Sequence, residues 1–207
     1  PPAHAVGPLD TIAEGATQVA RLDTGLEAGV VGWLGYGRRL PAVRGLAFAA
    51  EVRLGLPLVT PDLGDLGAAL AGQLELAGSD GWRLRNQLEL AVRGVDNTLF
   101  DGLSLSLRDT LAFGWYGCRG FVAVELAWEQ GLATHVRHSD WYQREIYPGA
   151  EDGWLALPFR TVRANATAGV TLTRRLLIAL RVGVVQDRTG RSGYLPFTAI
   201  VTAARSF

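Results

Sequence analysis

The residues best suited to chemistry sit close together. His135 and His138 stand three residues apart, followed by Ser139 and Asp140, with Glu145 further on. Imidazole and carboxylate groups are zinc ligands, so a metal site can be drawn from this set. On an irregular connection that spacing fixes no ligand geometry, and the cluster reads as a polar surface loop with no metal. His138, Ser139 and Asp140 also supply the three side-chain types of a nucleophilic triad. Neighbouring residues on an extended chain point to opposite faces, so His138 and Ser139 would not meet on a strand. They stand as weak catalytic candidates, and the reading leans away from an enzyme. The glycines between Gly29 and Gly37 precede no helix, so they form no phosphate-binding motif and suit close strand approach instead. Cys118 is the one cysteine, which excludes an internal disulfide and a Cys-based zinc site. No cofactor is indicated.

A second set of charges is larger and more regular. Glu51, Arg53, Glu75, Arg83, Arg85, Glu89, Arg93, Glu125, Glu129, Arg163 and Arg181 all fall at alternate positions of apolar runs. Within 46–56, Leu46, Phe48, Ala50, Val52, Leu54 and Leu56 share one face; Ala47, Ala49, Glu51, Arg53 and Gly55 share the other. The same alternation recurs over 66–76, 82–93, 121–129, 162–173 and 176–185. Period two is a strand signal that a helix does not produce. The runs predict strands near 12–23, 25–37, 44–56, 66–77, 82–93, 99–116, 120–131, 160–173, 176–186 and 194–207. That is about ten; eight and twelve stay open, because 12–23 is weak and 99–116 carries Asp101 and Asp109 on its apolar face, where a hairpin at Arg108-Asp109 would fit. Gly78-Ser79-Asp80-Gly81 predicts a tight hairpin turn. The longest break, 132–158, predicts an irregular loop carrying Trp141, Tyr142, Tyr147 and Trp154, aromatics of the kind enriched at interaction surfaces.

Composition narrows the class. Basic and acidic residues balance at 20 each, so no net field points to nucleic acid. Every basic residue is Arg. The 207 residues fit one domain, and only 19% are charged. No apolar stretch approaches the roughly 18 residues of a membrane-crossing helix. A crossing strand needs only about 9–11 residues and signals itself by alternation. With no Met, the chain reads as a mature, exported form whose leader has been removed, its first 11 residues forming a flexible segment ahead of a single domain, 12–207.

Alternation does not say which face is outside. The charged face mixes both signs with Ala and Gly, which suits a narrow lumen whose charges pair: Arg83, Arg85 and Arg93 share a strand with Glu89 and suit cross-strand pairing with Glu75 and Glu125. Aromatics near strand ends (Trp82, Trp115, Tyr116, Trp128, Tyr194) suit interfacial girdles. The last segment puts Phe197, Ala199, Val201, Ala203 and Phe207 on one face, with Arg205 departing from it. Arg205 would have to reach sideways to the interface. This pattern resembles the assembly signal of Gram-negative outer-membrane β-barrels, with Phe197, Val201 and Phe207 as its key residues. The resemblance covers the whole chain as an architecture and assigns no subfamily.

That resemblance implies an all-β fold, an antiparallel transmembrane β-barrel in the bacterial outer membrane. Its partners would be outer-membrane lipid and lipopolysaccharide, the assembly machinery, and other proteins of a larger membrane assembly. Termini and the turns at 38–43, 78–81, 117–119 and 174–175 would be periplasmic; 57–65, 94–98, 132–158 and 187–193 would lie outside. The function expected is a structural, anchoring or interaction role with a mostly side-chain-filled lumen. One alternative is a lipid-modifying enzyme similar to lipid A deacylases; in those a His and a Ser are separated by one residue, whereas His138 and Ser139 adjoin. Another is a soluble β-barrel that binds a small apolar ligand inside.

Overall fold

The computed structural model describes residues 8–13, 15–26, 30–58, 65–96, 98–155, 160–187 and 197–207. Among them, eleven strands form one antiparallel sheet: β1 (Gln18–Leu26), β2 (Val30–Val43), β3 (Leu46–Pro57), β4 (Gly67–Ser79), β5 (Trp82–Asp96), β6 (Phe100–Tyr116), β7 (Gly120–His138), β8 (Gly153–Leu155), β9 (Arg160–Thr173), β10 (Leu176–Asp187) and β11 (Phe197–Ser206). β1 pairs with β11, from Val19 opposite Ser206 to Leu26 opposite Ala199. β6 pairs with β7, and β7 with β9, so ten strands close into a barrel. The eleventh, β8, is a short strand on the C-terminal end of β7.

The alternation read in the sequence decides the wall. In β3, Ala49, Glu51, Arg53 and Gly55 are buried, while Val52, Leu54 and Leu56 are exposed. The same inversion holds around the barrel, with Leu34 62%, Val124 60% and Val184 61% exposed. Apolar side chains face outward and charges inward, as in a barrel whose surroundings are lipid. A soluble barrel holding an apolar ligand would need the opposite arrangement, so that alternative is corrected.

Short turns gather at the end that carries Gln18 and Phe207. Arg44 and Gly45 both adopt positive φ (51° and 82°), as do Asp80 and Gly81 (48° and 88°). Two consecutive positive-φ residues make the type I′ turn, whose twist matches the flanking strands. The first turn therefore lies at 44–45 rather than the expected 38–43. Pro41, which has no N–H to donate, falls where the β2–β3 register shifts between Leu40 and Val43, and the strand resumes beyond it.

Three further expectations are corrected. β6 runs unbroken through Arg108 and Asp109, so there is no hairpin there. Asp109 stays on the outer face, where Asn86 Nδ2 donates to it at 2.5 Å. Residues 132–138, expected in a loop, extend β7. Near Leu132 the register shifts, with Ser106 opposite Gly131 and Leu105 opposite Ala133. This bulge reverses which side chains face in, so the apolar phase breaks while pairing continues. Residues 8–11, expected in a flexible segment, form a one-turn helix, α1 (Pro8–Thr11), whose Leu9, Asp10 and Thr11 are buried. Residues 1–7, Tyr194, and most of the expected outer connections at 57–65 and 187–193 lie outside the described residues.

Candidate functional site: a charged and plugged lumen

Strand parity builds the lumen. Odd positions of β1, β3, β4, β5, β7, β9 and β10 point inward, and even positions of β6 do so. Glu51, Arg53, Glu75, Arg83, Arg85, Glu89, Arg93, Glu125, Glu129, Arg163 and Arg181 occupy these inward positions, buried or half-buried. The closed register then adds Arg21 and Asp23 from β1 and Arg108 from β6. These three follow the same parity. They go unnoticed in the sequence because β1 lacks a clear apolar face and β6 mixes Asp101 and Asp109 into its own.

The ion pairs form a ladder around the wall. Asp23 meets Arg21 at 2.9 Å, and Arg21 meets Glu51 at 3.2 Å. Glu51 faces Arg53 at 3.9 Å, and Arg53 pairs with Glu89. Glu89 reaches Arg108 at 3.5 Å, and Arg108 pairs with Glu129 at 2.9 Å. Arg163 binds the same Glu129 carboxylate at 2.8 Å, and Ser106 donates to it at 3.0 Å. Arg181 pairs with Glu125 at 3.1 Å, while Thr167 donates to Glu125 at 2.7 Å. Charges this far from bulk water are tolerated only when partnered. The guanidinium fork suits such bridging because one group can bind two carboxylates. The Arg93 guanidinium lies 5.4 Å from the Trp33 ring, as does that of Arg53. Trp33 in turn packs against the bare backbones of Gly55 and Gly67, where a Cβ would approach the ring to 2.7 Å and 2.8 Å.

Below the ladder, α1 fills the short-turn end. Leu9 and Ile12 are 3% and 0% exposed and join Val19, Tyr116, Phe121 and Leu177 in one apolar cluster. Burying the two side chains contributes roughly 1.5–3 kcal/mol each. Polar contacts fix the turn: the Leu9 N–H donates to Gln73 Oε1 (3.0 Å), and Gln73 Nε2 donates to Asp10 (2.8 Å). Asp10 pairs with Arg85, which also binds Glu75 at 2.8 Å and lies 4.7 Å over the Tyr116 ring. Ser206 Oγ donates to the Thr11 carbonyl (2.7 Å) and accepts from the Ala13 N–H (2.9 Å). No periodicity could announce a helix this short, so the plug is invisible in the sequence.

Among the described residues, a cavity of about 40 Å³ lies between plug and ladder, bordered by Asp10, Arg21, Arg85, Glu89, Arg163 and Arg181 among others. A water needs roughly 10–15 Å³ on this measure, so the space holds a few waters and no solute.

The outer cluster is arranged as a structural pin. The His138 backbone N–H donates to Asp152 Oδ1 at 2.8 Å, and His138 Nδ1 lies 3.0 Å from the same oxygen. These contacts hold the Asp152 carboxyl below its ordinary range, the backbone N–H contributing most. Ser139 Oγ donates to the Thr98 carbonyl at 3.0 Å and accepts from the Tyr142 N–H, so its proton is not directed at His138. The Asp140 carbonyl accepts from Arg144. His138, Ser139 and Asp140 therefore do not form the geometry of a triad. Tyr142 stacks on His138 at 5.1 Å, and Trp154 meets His135 edge-on at 5.2 Å. Trp141, Tyr147 and Trp154 are exposed, whereas Tyr142 is half-buried. Among the described residues no three His, Cys, Asp or Glu side chains converge as a metal site.

Phe197, Val201 and Phe207 all face outward on β11 and just beyond it. Trp82 stacks on Phe113 at 5.1 Å, beside Trp115, and Tyr36 lies 6.4 Å from Phe207, so aromatics ring the short-turn end.

No protein-family model matches the chain, and no curated protein matches it in sequence. Its fold does have solved counterparts. An outer-membrane channel from Pseudomonas putida F1 superposes with a TM-score of 0.58 at 10% identity, over 98% of this chain and 100% of that one. A KdgM porin aligns with a TM-score of 0.46 at 8% identity, over 91% of this chain and 99% of that one. With the apolar face outward and ten strands closed edge to edge, the chain has the fold of a bacterial outer-membrane β-barrel.

Proposed function

We propose that this chain is an integral outer-membrane protein with a structural, anchoring or interaction role, rather than an open porin. The filled lumen carries this reading. Among the described residues, the cavity between the Asp23-to-Arg163 ladder and the α1 plug measures about 40 Å³, too little for a solute. The exposed aromatics of the outer extension supply a surface for a partner, since such side chains dominate binding hot spots. Outer-membrane lipid and lipopolysaccharide surround the apolar wall. The outward row of Phe197, Val201 and Phe207 suits recognition by the assembly machinery.

The test is conductance in planar bilayers. The wild-type barrel is expected to insert without steady porin-sized currents. Steady open channels would overturn the closed-lumen reading.

A second reading, a narrow gated channel, is favoured by the fold likeness to a solved outer-membrane channel. It assigns the gate to α1. Ile12→Asp places a carboxylate in the apolar cluster and should displace the plug. Currents appearing only in that variant would select the gated channel; silence in both would assign closure to the ladder.

A further inference from the structure

The short-turn rim is basic, and its arginines have no use in the lumen. Arg44, Arg119, Arg174, Arg175 and Arg205 lie in or beside the turns at this end and are exposed. Asp80 is the acidic side chain in these turns. Among the described residues, no ion pair is formed by Arg174, Arg175 or Arg205.

Three of these arginines converge. Arg174 and Arg175 make the turn between β9 and β10, and Arg205 on β11 is the register partner of Leu176 on β10. Together with Thr173 and Leu176 they border an open depression of about 510 Å³. Arg205 shares the outward face of β11 with Ala203 and Val201, which is why it breaks the apolar row of that strand. The turn itself is fixed, because Thr173 Oγ1 accepts from the N–H groups of Arg175 (3.3 Å) and Leu176 (3.1 Å). Directly toward the middle of the wall, Val170, Leu172, Ile178 and Val201 form an exposed apolar surface. Guanidinium donors at the rim thus sit at the foot of a hydrocarbon-facing wall.

We propose that Arg174, Arg175 and Arg205 bind the phosphate of an anionic phospholipid in the periplasmic leaflet, its acyl chains lying along Leu172 and Ile178. The assignment rests on the membrane placement proposed above. Guanidinium groups bind phosphate through paired, charge-assisted hydrogen bonds, a fit that a single hydroxyl or amide does not give. Several cationic side chains close to a headgroup layer add their attraction to anionic lipid. A lipid is favoured over a free anion because the wall continues from the arginines without a polar break. Arg205 then has a role that requires its place on the lipid face.

Native mass spectrometry of the detergent-solubilised full chain provides the test. Phosphatidylglycerol and phosphatidylcholine of identical acyl chains are titrated separately. Wild type should bind phosphatidylglycerol with an apparent affinity roughly tenfold or more above phosphatidylcholine. The triple variant Arg174→Gln/Arg175→Gln/Arg205→Gln should bind both lipids alike. Arg137→Gln/Arg144→Gln, at the opposite end, should keep the wild-type preference. Equal binding by wild type, or a preference surviving in the triple variant, would overturn the site. Loss of preference in the opposite-end variant would also overturn it, by showing a general charge effect. Full displacement of phosphatidylglycerol by millimolar inorganic phosphate would reassign the arginines to a free-anion site. Heat-modifiable gel migration reports barrel folding separately: a folded triple variant that has lost its preference supports the proposal. Failure of the wild type itself to fold in lipid would instead count against the membrane placement.

Discussion

Glu129 is the node on which the luminal ladder is most exposed to test. Its carboxylate binds Arg108 at 2.9 Å and Arg163 at 2.8 Å and accepts from Ser106 at 3.0 Å, while only 6% of the residue is exposed. Glu129→Ala removes the acceptor but leaves two guanidiniums in place. Removing one partner of a buried ion pair costs roughly 3–5 kcal/mol, chiefly because the remaining charge is stranded. Arg108 keeps Glu89 at 3.5 Å, which cushions one side and places the expected loss near the lower end, about 3 kcal/mol. Glu129→Gln keeps an oxygen for one donor and loses the charge, so its loss should be smaller, roughly 1–2 kcal/mol. Reversible urea unfolding in lipid vesicles, followed by tryptophan fluorescence, measures both. The midpoint should fall while the slope with denaturant is unchanged, since the surface exposed on unfolding is the same. A loss below about 1 kcal/mol for Glu129→Ala would mean that water in the lumen solvates these arginines freely. The ladder would then contribute little to closing the barrel.

Two further outcomes are expected. The Asp152 carboxyl lies below its ordinary value because His138 donates to its charged form, so this pin is intact at neutral pH and is lost as pH falls through the lowered value. In a ¹⁵N-labelled sample the His138 amide resonance should titrate with a midpoint below the roughly 3.9 of a free aspartate; a midpoint at or above it would contradict the contact. Gly55→Ala brings a Cβ to 2.7 Å from the Trp33 ring, forcing the indole away from Arg53 and Arg93. Such overpacking should cost roughly 1–3 kcal/mol in the same urea experiment, and an unchanged midpoint would show that Trp33 is not held between the strands.

Much of the wall was legible in the residues themselves. A strand has period two, so Val52 and Leu54 must share one face and Glu51 and Arg53 the other, whatever surrounds them. The small and doubly charged composition of the second face pointed to a lumen, and Asp80-Gly81 pointed to a tight turn because both positions tolerate positive φ. The hairpin suggested at Arg108-Asp109 failed for a reason that lies outside its own strand. β6 is paired with β5 from Asp101 to Trp115 and with β7 from Phe100 to Tyr116, and Asn86 on β5 donates to the outward-facing Asp109 carboxylate.

Residue order along the chain determined which side chains enter the barrel; it did not determine which of them touch. Arg21 and Glu51 lie on neighbouring parts of the closed wall only because β1, β2 and β3 adopt particular registers, and Thr202 reaches Asp23 at 2.5 Å only because β11 returns to β1. A shift of one residue in any of those pairings would turn the charges toward lipid, so burial of the apolar face outside fixes the register, and the register fixes the ion pairs. The plug belongs to tertiary structure altogether. Four residues of α1 carry no periodic signal, and they hold their turn because Gln73, Arg85 and Ser206, from three different strands of the closed wall, meet them there.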